Sequence, residues 1–286
     1  MTMKNKIDIT VIISTRGRYH TTLPLCLMSI LNQTHSPIEV ILVDDNDIKE
    51  FYDISINKEI LKLFKLKNID FSYFYGESKG QVYAQKIGID NSKTDWIFRT
   101  DDNNILESDV LETLKNSISF NVGAVSCLIL NNIGDSQRKL EYKLDVYNEI
   151  KNIYSIFNIQ MCHKQDKILK KVEHIYSNYL FKKDIIESDI TLDFSPAGHR
   201  EDTVFTYEIY RKGYDLVINP NCIIYHLNDK KGGNRIYQDE QIYINEKRFI
   251  QRMKDWGVIP NKLKIEEDKN LIFTMYEDIK YQILIK

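Results

Sequence analysis

The chain has 286 residues, 43% of them hydrophobic and 28% charged, with a formal net charge of -2. That length and apolar content allow one large α/β domain or two closely packed halves. The near-neutral balance argues against a nucleic-acid binder, which carries a basic excess to meet phosphates. The four cysteines, Cys26, Cys127, Cys162 and Cys222, contain no C-x-x-C pair. They form no disulfide framework, and a reducing cytoplasm is the expected setting. The polar Met1–Lys6 stretch has no signal-peptide apolar region, and no run reaches the roughly 18–20 apolar residues that span a bilayer. Any membrane association is therefore expected to be peripheral, at the inner face.

Residues 7–14 are β-branched and almost wholly apolar from Ile9, which predicts a strand buried on both faces. A turn, Thr15-Arg16-Gly17-Arg18, follows. Leu23, Cys26, Leu27, Ile30 and Leu31 then recur on one helical face, with Pro24 tolerated in the first turn. Residues 38–43 predict a second buried strand, ending at Asp44-Asp45-Asn46. Strand, helix and strand with short links imply parallel strands joined by a right-handed crossover. Further along, 59–66 and 80–91 predict helices, and 70–75 and 95–99 strands. The last of these runs into Thr100-Asp101-Asp102-Asn103. Ser108 is the expected cap of a helix reaching about Asn116. Residues 122–130 predict another strand.

Beyond 131 the rhythm breaks. Residues 131–175 show no clean period, and 176–181 are short and apolar-aromatic. Pro196 to Arg200 predict a loop, and Glu201-Asp202 open a helix to Lys212 closed by Gly213. Residues 215–219 and 222–226 predict two strands. The remainder reads as a charged, mostly helical tail.

In an open α/β sheet, ligands bind beyond the carboxyl ends of the strands. Asp44-Asp45 and Asp101-Asp102 both fall at such ends. Two carboxylate pairs on one rim need compensation. A divalent metal carrying a diphosphate is one solution, and hard carboxylate oxygens suit Mg²⁺ or Mn²⁺. The sequence lacks a Walker-type phosphate loop, a G-x-G-x-x-G fingerprint, structural zinc spacing and a G-x-S-x-G elbow, which sets aside the commonest alternatives.

Four blocks together resemble family 2 glycosyltransferases of GT-A fold. The first is T-V-I-I-S-T-R-G-R with L-x-x-C-L-x-S-I-L-N-Q-T and E-V-I-L-V-D-D-N. The others are D-W-I-F-R-T-D-D-N-N-I-L, H-R-E-D-T-V-F-T-Y-E-I-Y-R-K-G-Y and I-I-Y-H. They stand in the family's order over roughly residues 8–226. The resemblance implies a mostly parallel central sheet flanked by helices. It divides the chain into a nucleotide-sugar half (1–130), an acceptor half (131–235) and a helical tail (236–286).

It also implies roles. Asp45 would hydrogen-bond the nucleotide base, with Thr15 and Arg16 near base and ribose. Asp101 would meet ribose or metal. Asp102 and His226 would bind the metal, Mn²⁺ or Mg²⁺. Asp202 would be the general base of an inverting displacement. Glu201 would face the acceptor or make a supporting hydrogen bond, and His199 and Arg200 would touch diphosphate or acceptor. The donor would be a UDP- or GDP-sugar, and the acceptor a saccharide, a lipid-linked saccharide or a protein. Lys230, Lys231 and Arg235 read as a solvated charge run, or alternatively as a lid over the diphosphate. Two departures from the family pattern stand out. Asn103 replaces an acid, and Ala84-Gln85-Lys86 stands where many members carry Ala-Arg-Asn. Two other readings remain: a sugar-phosphate nucleotidyltransferase, which would show a glycine-rich loop after the first strand, and a degenerate binding module.

Overall fold

The first strand, β1 (Ile9–Thr15), is flanked on both sides by parallel neighbours. Its odd residues Ile9, Val11 and Ile13 pack to one face, and Ile12 packs to the other. That two-sided burial is what the β-branched run demands. The computed structural model describes residues 7–131, 168–227, 229, 232–233 and 239–258.

In chain order β1 is followed by α1 (Thr22–Leu31), β2 (Glu39–Asp44), α2 (Ser55–Leu66), β3 (Asp70–Tyr75) and α3 (Gln81–Asn91). Then come β4 (Trp96–Asp101), β5 (Asn104–Leu106), α4 (Val110–Asn116) and β6 (Val122–Asn131). The second half holds β7 (Lys170–Val172), β8 (Tyr179–Lys182), α5 (Glu201–Arg211), β9 (Asp215–His226) and α6 (Asp239–Asp255). The strands make one sheet in the order β3-β2-β1-β4-β8-β6-β9-β5, with β7 paired to β9. β1 to β4 run parallel, and β8 is antiparallel to both β4 and β6.

Helices cover both faces. Leu23, Cys26 and Leu27 of α1, Ile60 and Phe64 of α2 and Leu111 and Leu114 of α4 join one apolar layer. Ala84 and Ile89 of α3 and Phe205 and Ile209 of α5 join the other. Burying one such side chain stabilises by about 1.5–3 kcal/mol, whereas an exposed ion pair contributes about 0–1 kcal/mol. The two apolar layers therefore set the register, and surface pairs such as Lys62–Glu59 adjust it little.

The chain runs β1 to β2 to β3 in one direction, then returns to place β4 on the other side of β1. β1 is thus the topological switch point, where an open α/β sheet forms its ligand crevice. Thr15 lies opposite Asp44, and Ser14 lies opposite Asp101, so both acidic strand ends reach the same rim.

Some expectations differ from the fold. β9 is one strand rather than two. It continues through Pro220-Asn221 with a register shift against β6, since a bulge accommodates a proline that cannot donate to the ladder. α4 starts after Asp109, with no side-chain cap, rather than at Ser108. The three-residue strands β5 and β7 are too short to leave a periodic signal. Cys26, Cys127 and Cys222 are buried and unpaired. Cys162, Lys230, Lys231, Arg235 and the tail beyond residue 258 lie outside the described residues. Among the described residues no helix is long and apolar enough to cross a membrane.

Candidate active site

A cleft of about 380 Å³ opens at the switch point. Nine positions nominated from the sequence line it, Thr15, Arg16, Asp45, Asp101, Asp102, Arg200, Glu201, Asp202 and His226, and His199 does too.

One wall comes from the turn after β1. Thr15 donates its hydroxyl to Asp102 Oδ2 at 2.7 Å, and Arg18 Nη1 donates to Asp102 Oδ1 at 2.6 Å. Arg18 is only 6% exposed, and its Nε has no partner. Arg16 Nη2 reaches both oxygens of the Asp47 carboxylate, at 3.0 and 3.1 Å, and its Nη1 donates to the Asp45 carbonyl. Gly233 donates its N–H to the Arg16 carbonyl at 2.8 Å. Gly233 has φ +65°, a left-handed conformation that favours glycine, and a Cβ there would press on the Arg18 guanidinium.

Asp45 is buried just beyond β2. Both of its carboxylate oxygens face the Gly80 N–H, at 3.0 and 3.1 Å. Gly80 has φ +95°, and a Cβ there would sit 2.3 Å from Pro196 Cα. Only glycine can therefore present this N–H. Burial raises the Asp45 carboxyl from 3.8 to about 6, against the pull of Gly80 and Arg16.

The opposite wall is the N-terminus of α5. Glu201 and Asp202 occupy its first turn, where the helix dipole favours carboxylates. Asp202 Oδ1 accepts from the Thr203 N–H at 2.7 Å, and Oδ2 from the Ser177 N–H at 3.0 Å. Glu201 is 1% exposed and paired with Arg99 of β4. Arg99 also donates to the Tyr179 hydroxyl at 2.9 Å, and Gln85 reaches the same oxygen at 3.3 Å. Burial raises Glu201 to about 8 against the Arg99 charge. Of its two expected roles, the supporting one is what these contacts describe. Lys86 pairs with Asp90 on the outside of α3, so the guanidinium under this part of the site comes from Arg99 instead.

Arg200 adopts φ +68° immediately before α5. It and His199 converge on Glu246 of α6, with His199 Nε2 at 2.8 Å and Arg200 Nε at 3.1 Å from Oε2. Burial alone would raise Glu246, but Arg200 and His199 outweigh it and hold the carboxyl at about 2. Helix α6 is therefore tied to the loop before α5, which no motif announced. Arg18, Arg99 and Ser177 also went unmarked in the sequence. Their partners lie 76–102 positions away, so no local pattern carries them.

Asp102 and His226, where a divalent ion was expected, are both hydrogen-bonded to their neighbours. Both Asp102 oxygens are engaged, and Arg18 already supplies the cation that this buried carboxylate needs. His226 Nε2 faces the Asn103 amide nitrogen at 3.1 Å, and that nitrogen also donates to the Leu227 carbonyl. Among the described residues, no three His, Cys, Asp or Glu side chains converge as a hard cation's ligand set would.

Comparison with known proteins agrees with this architecture. The family described as Glycosyl transferase family 2 matches residues 10–181. Glycosyltransferase GlyG of Streptococcus pneumoniae serotype 4 (strain ATCC BAA-334 / TIGR4) is 31% identical over 113 residues, which are 39% of this chain and 35% of that protein. The match thus spans about a third of that relative. Among solved structures, S. aureus TarS 1-349 in complex with UDP-GlcNAc superposes with a TM-score of 0.60 at 12% identity, covering 95% of this chain and 72% of that one. GalNAc-T7 with UDP, GalNAc and Mn²⁺ gives 0.54 at 16% identity, covering 79% and 44%. At these identities the structural likeness concerns the fold.

Proposed function

This chain belongs to glycosyl transferase family 2, and on that premise we propose that its cleft takes a UDP-sugar and transfers the sugar, with inversion, to an acceptor hydroxyl. The observation that carries this reading is the convergence of Asp45, Asp101 and Asp202, distant in sequence, on one cleft at the switch point. UDP is the favoured nucleotide over GDP because two proteins of like fold are described with UDP or UDP-GlcNAc.

In this reading Asp45 and the β1 turn hold the base, and Asp101 meets the ribose. Asp202 takes the proton of the acceptor hydroxyl as that oxygen attacks the anomeric carbon. The bond from that carbon to the diphosphate breaks on the opposite face, and UDP leaves. Arg18 and Arg200 also line the cleft, where their charge would meet the charge that develops on the diphosphate. Asp102 and His226, which line the same cleft, would hold Mn²⁺ or Mg²⁺, and the ion would supply positive charge to the leaving diphosphate. Residues 1–130 would serve the donor and 131–235 the acceptor, be it saccharide, lipid-linked saccharide or protein.

The test is Asp202→Asn. UDP affinity is expected to stay within a few-fold of the parent. Sugar transfer from UDP-GlcNAc or a related donor is expected to fall about 10²–10⁴-fold. Undiminished transfer would remove Asp202 as the base.

A further inference from the structure

Just before β8, Ser177 and Asn178 adopt φ of +53° and +30° in succession. Neither is glycine, and both are buried, at 8% and 1% exposure. Left-handed backbone at such residues is strained, and it persists only where surrounding contacts over-determine it.

The contacts are on Asn178. Its Oδ1 accepts from the Thr100 hydroxyl at 2.6 Å and from Asn104 Nδ2 at 2.7 Å. Its carbonyl accepts from the Ser126 hydroxyl at 2.6 Å, and its Nδ2 donates to Ser177 Oγ at 2.9 Å. Asn178 is thereby fastened to β4, β5 and β6 at once. Ser177, held by it, donates its hydroxyl to Asp101 Oδ2 at 2.9 Å and its backbone N–H to Asp202 Oδ2 at 3.0 Å. One residue therefore hydrogen-bonds the carboxylate on the donor side and the carboxylate on the acceptor side.

We propose that Ser177 is a positioning residue that sets Asp101 and Asp202 in one frame, so that the donor and the base are aligned by a single strained dipeptide. This rests on the reading in which Asp101 meets the nucleotide. Each bond occupies one carboxylate oxygen from a fixed direction, which limits how each carboxyl group can turn in the cleft. A hydroxyl presented from a flexible turn would not fix that direction. The surrounding Asn178 bonds convert local strain into alignment.

The experiment is calorimetric titration with UDP of the parent, Ser177→Ala, Asp101→Asn and the double variant. Ser177→Ala is expected to weaken UDP about tenfold, the scale of one hydrogen bond to a carboxylate. In the Asp101→Asn background the same change is expected to do nothing further, because Ser177 acts through Asp101. Ser177→Gly relieves the positive φ, so its melting temperature is expected to hold or rise while UDP affinity still falls. That combination would not follow from a merely structural turn. Parent-like UDP binding by Ser177→Ala, or additive losses in the double variant, would overturn the inference alone. Failure of the folded parent to bind UDP would overturn the inference together with the proposed function.

Discussion

Asp45 shows how one residue's surroundings fix both its charge and its use. Its carboxylate is 3% exposed, and burial outweighs the backbone N–H groups of Gly80 and Lys79 and the Arg16 charge, lifting it to about 6. Between the ordinary value of 3.8 and about 6 the folded chain holds a proton that the unfolded chain has released. This group's contribution to stability therefore declines as pH rises through that window. Binding has the opposite sign, because only the ionised carboxylate is a pure acceptor for a base N–H. UDP affinity is expected to drop about tenfold per pH unit below this value, and Asp45→Asn is expected to flatten the dependence. Titrations of both proteins between pH 5 and 8 on the order of one unit apart would read it. A parent profile as flat as the variant's would remove Asp45 from the nucleotide.

At the scale of elements, α6 matters because Glu246 binds the loop that leads into Glu201 and Asp202 of α5. Its carboxyl is held at about 2 rather than 4.5, which corresponds to about 3 kcal/mol present above the unfolded value and lost as pH falls towards the folded one. Glu246→Gln is expected to lose stability on that scale at pH near 7, with the gap to the parent closing in acid. Denaturant melts at several pH values check this, and a gap that does not change with pH would contradict it. How far such elements could be read from the sequence varies with their physics. β1, β2 and β4 were legible because strands buried on both faces must be continuously apolar. α1 was legible from its apolar face. β9 read as two strands because Pro220 interrupts the pattern while the ladder passes it by a register shift. The nine lining positions were legible because they end strands or open a helix. Arg18, Ser177 and Glu246 were not, since their roles arise from left-handed backbone or from contacts across 47 to 84 residues. The Arg18 contact to Asp102 was illegible for a related reason. An acidic pair looks the same in sequence whether an ion or a buried arginine neutralises it.

In the whole molecule, two apolar layers hold one sheet, and the sheet carries both walls of the cleft. Tyr179, Phe181 and Phe205 knit the second layer beneath the Arg99–Glu201 pair, with Phe181 and Phe205 ring centroids 5.1 Å apart. Phe205→Ala is expected to cost about 3–5 kcal/mol of unfolding free energy, measured by denaturant titration with an unchanged slope. A loss below about 1 kcal/mol would mean that the layer repacks easily. What unites these layers with the chemistry is the switch point, where the ends of β1, β2 and β4 meet the start of α5. The most direct measurement is calorimetric titration with UDP of the parent chain, Asp45→Ala and Asp101→Ala. One UDP per chain is expected for the parent, with affinity falling at least about tenfold in each variant. A folded parent that binds no UDP, or variants that bind it as the parent does, would contradict a nucleotide site at these strand ends.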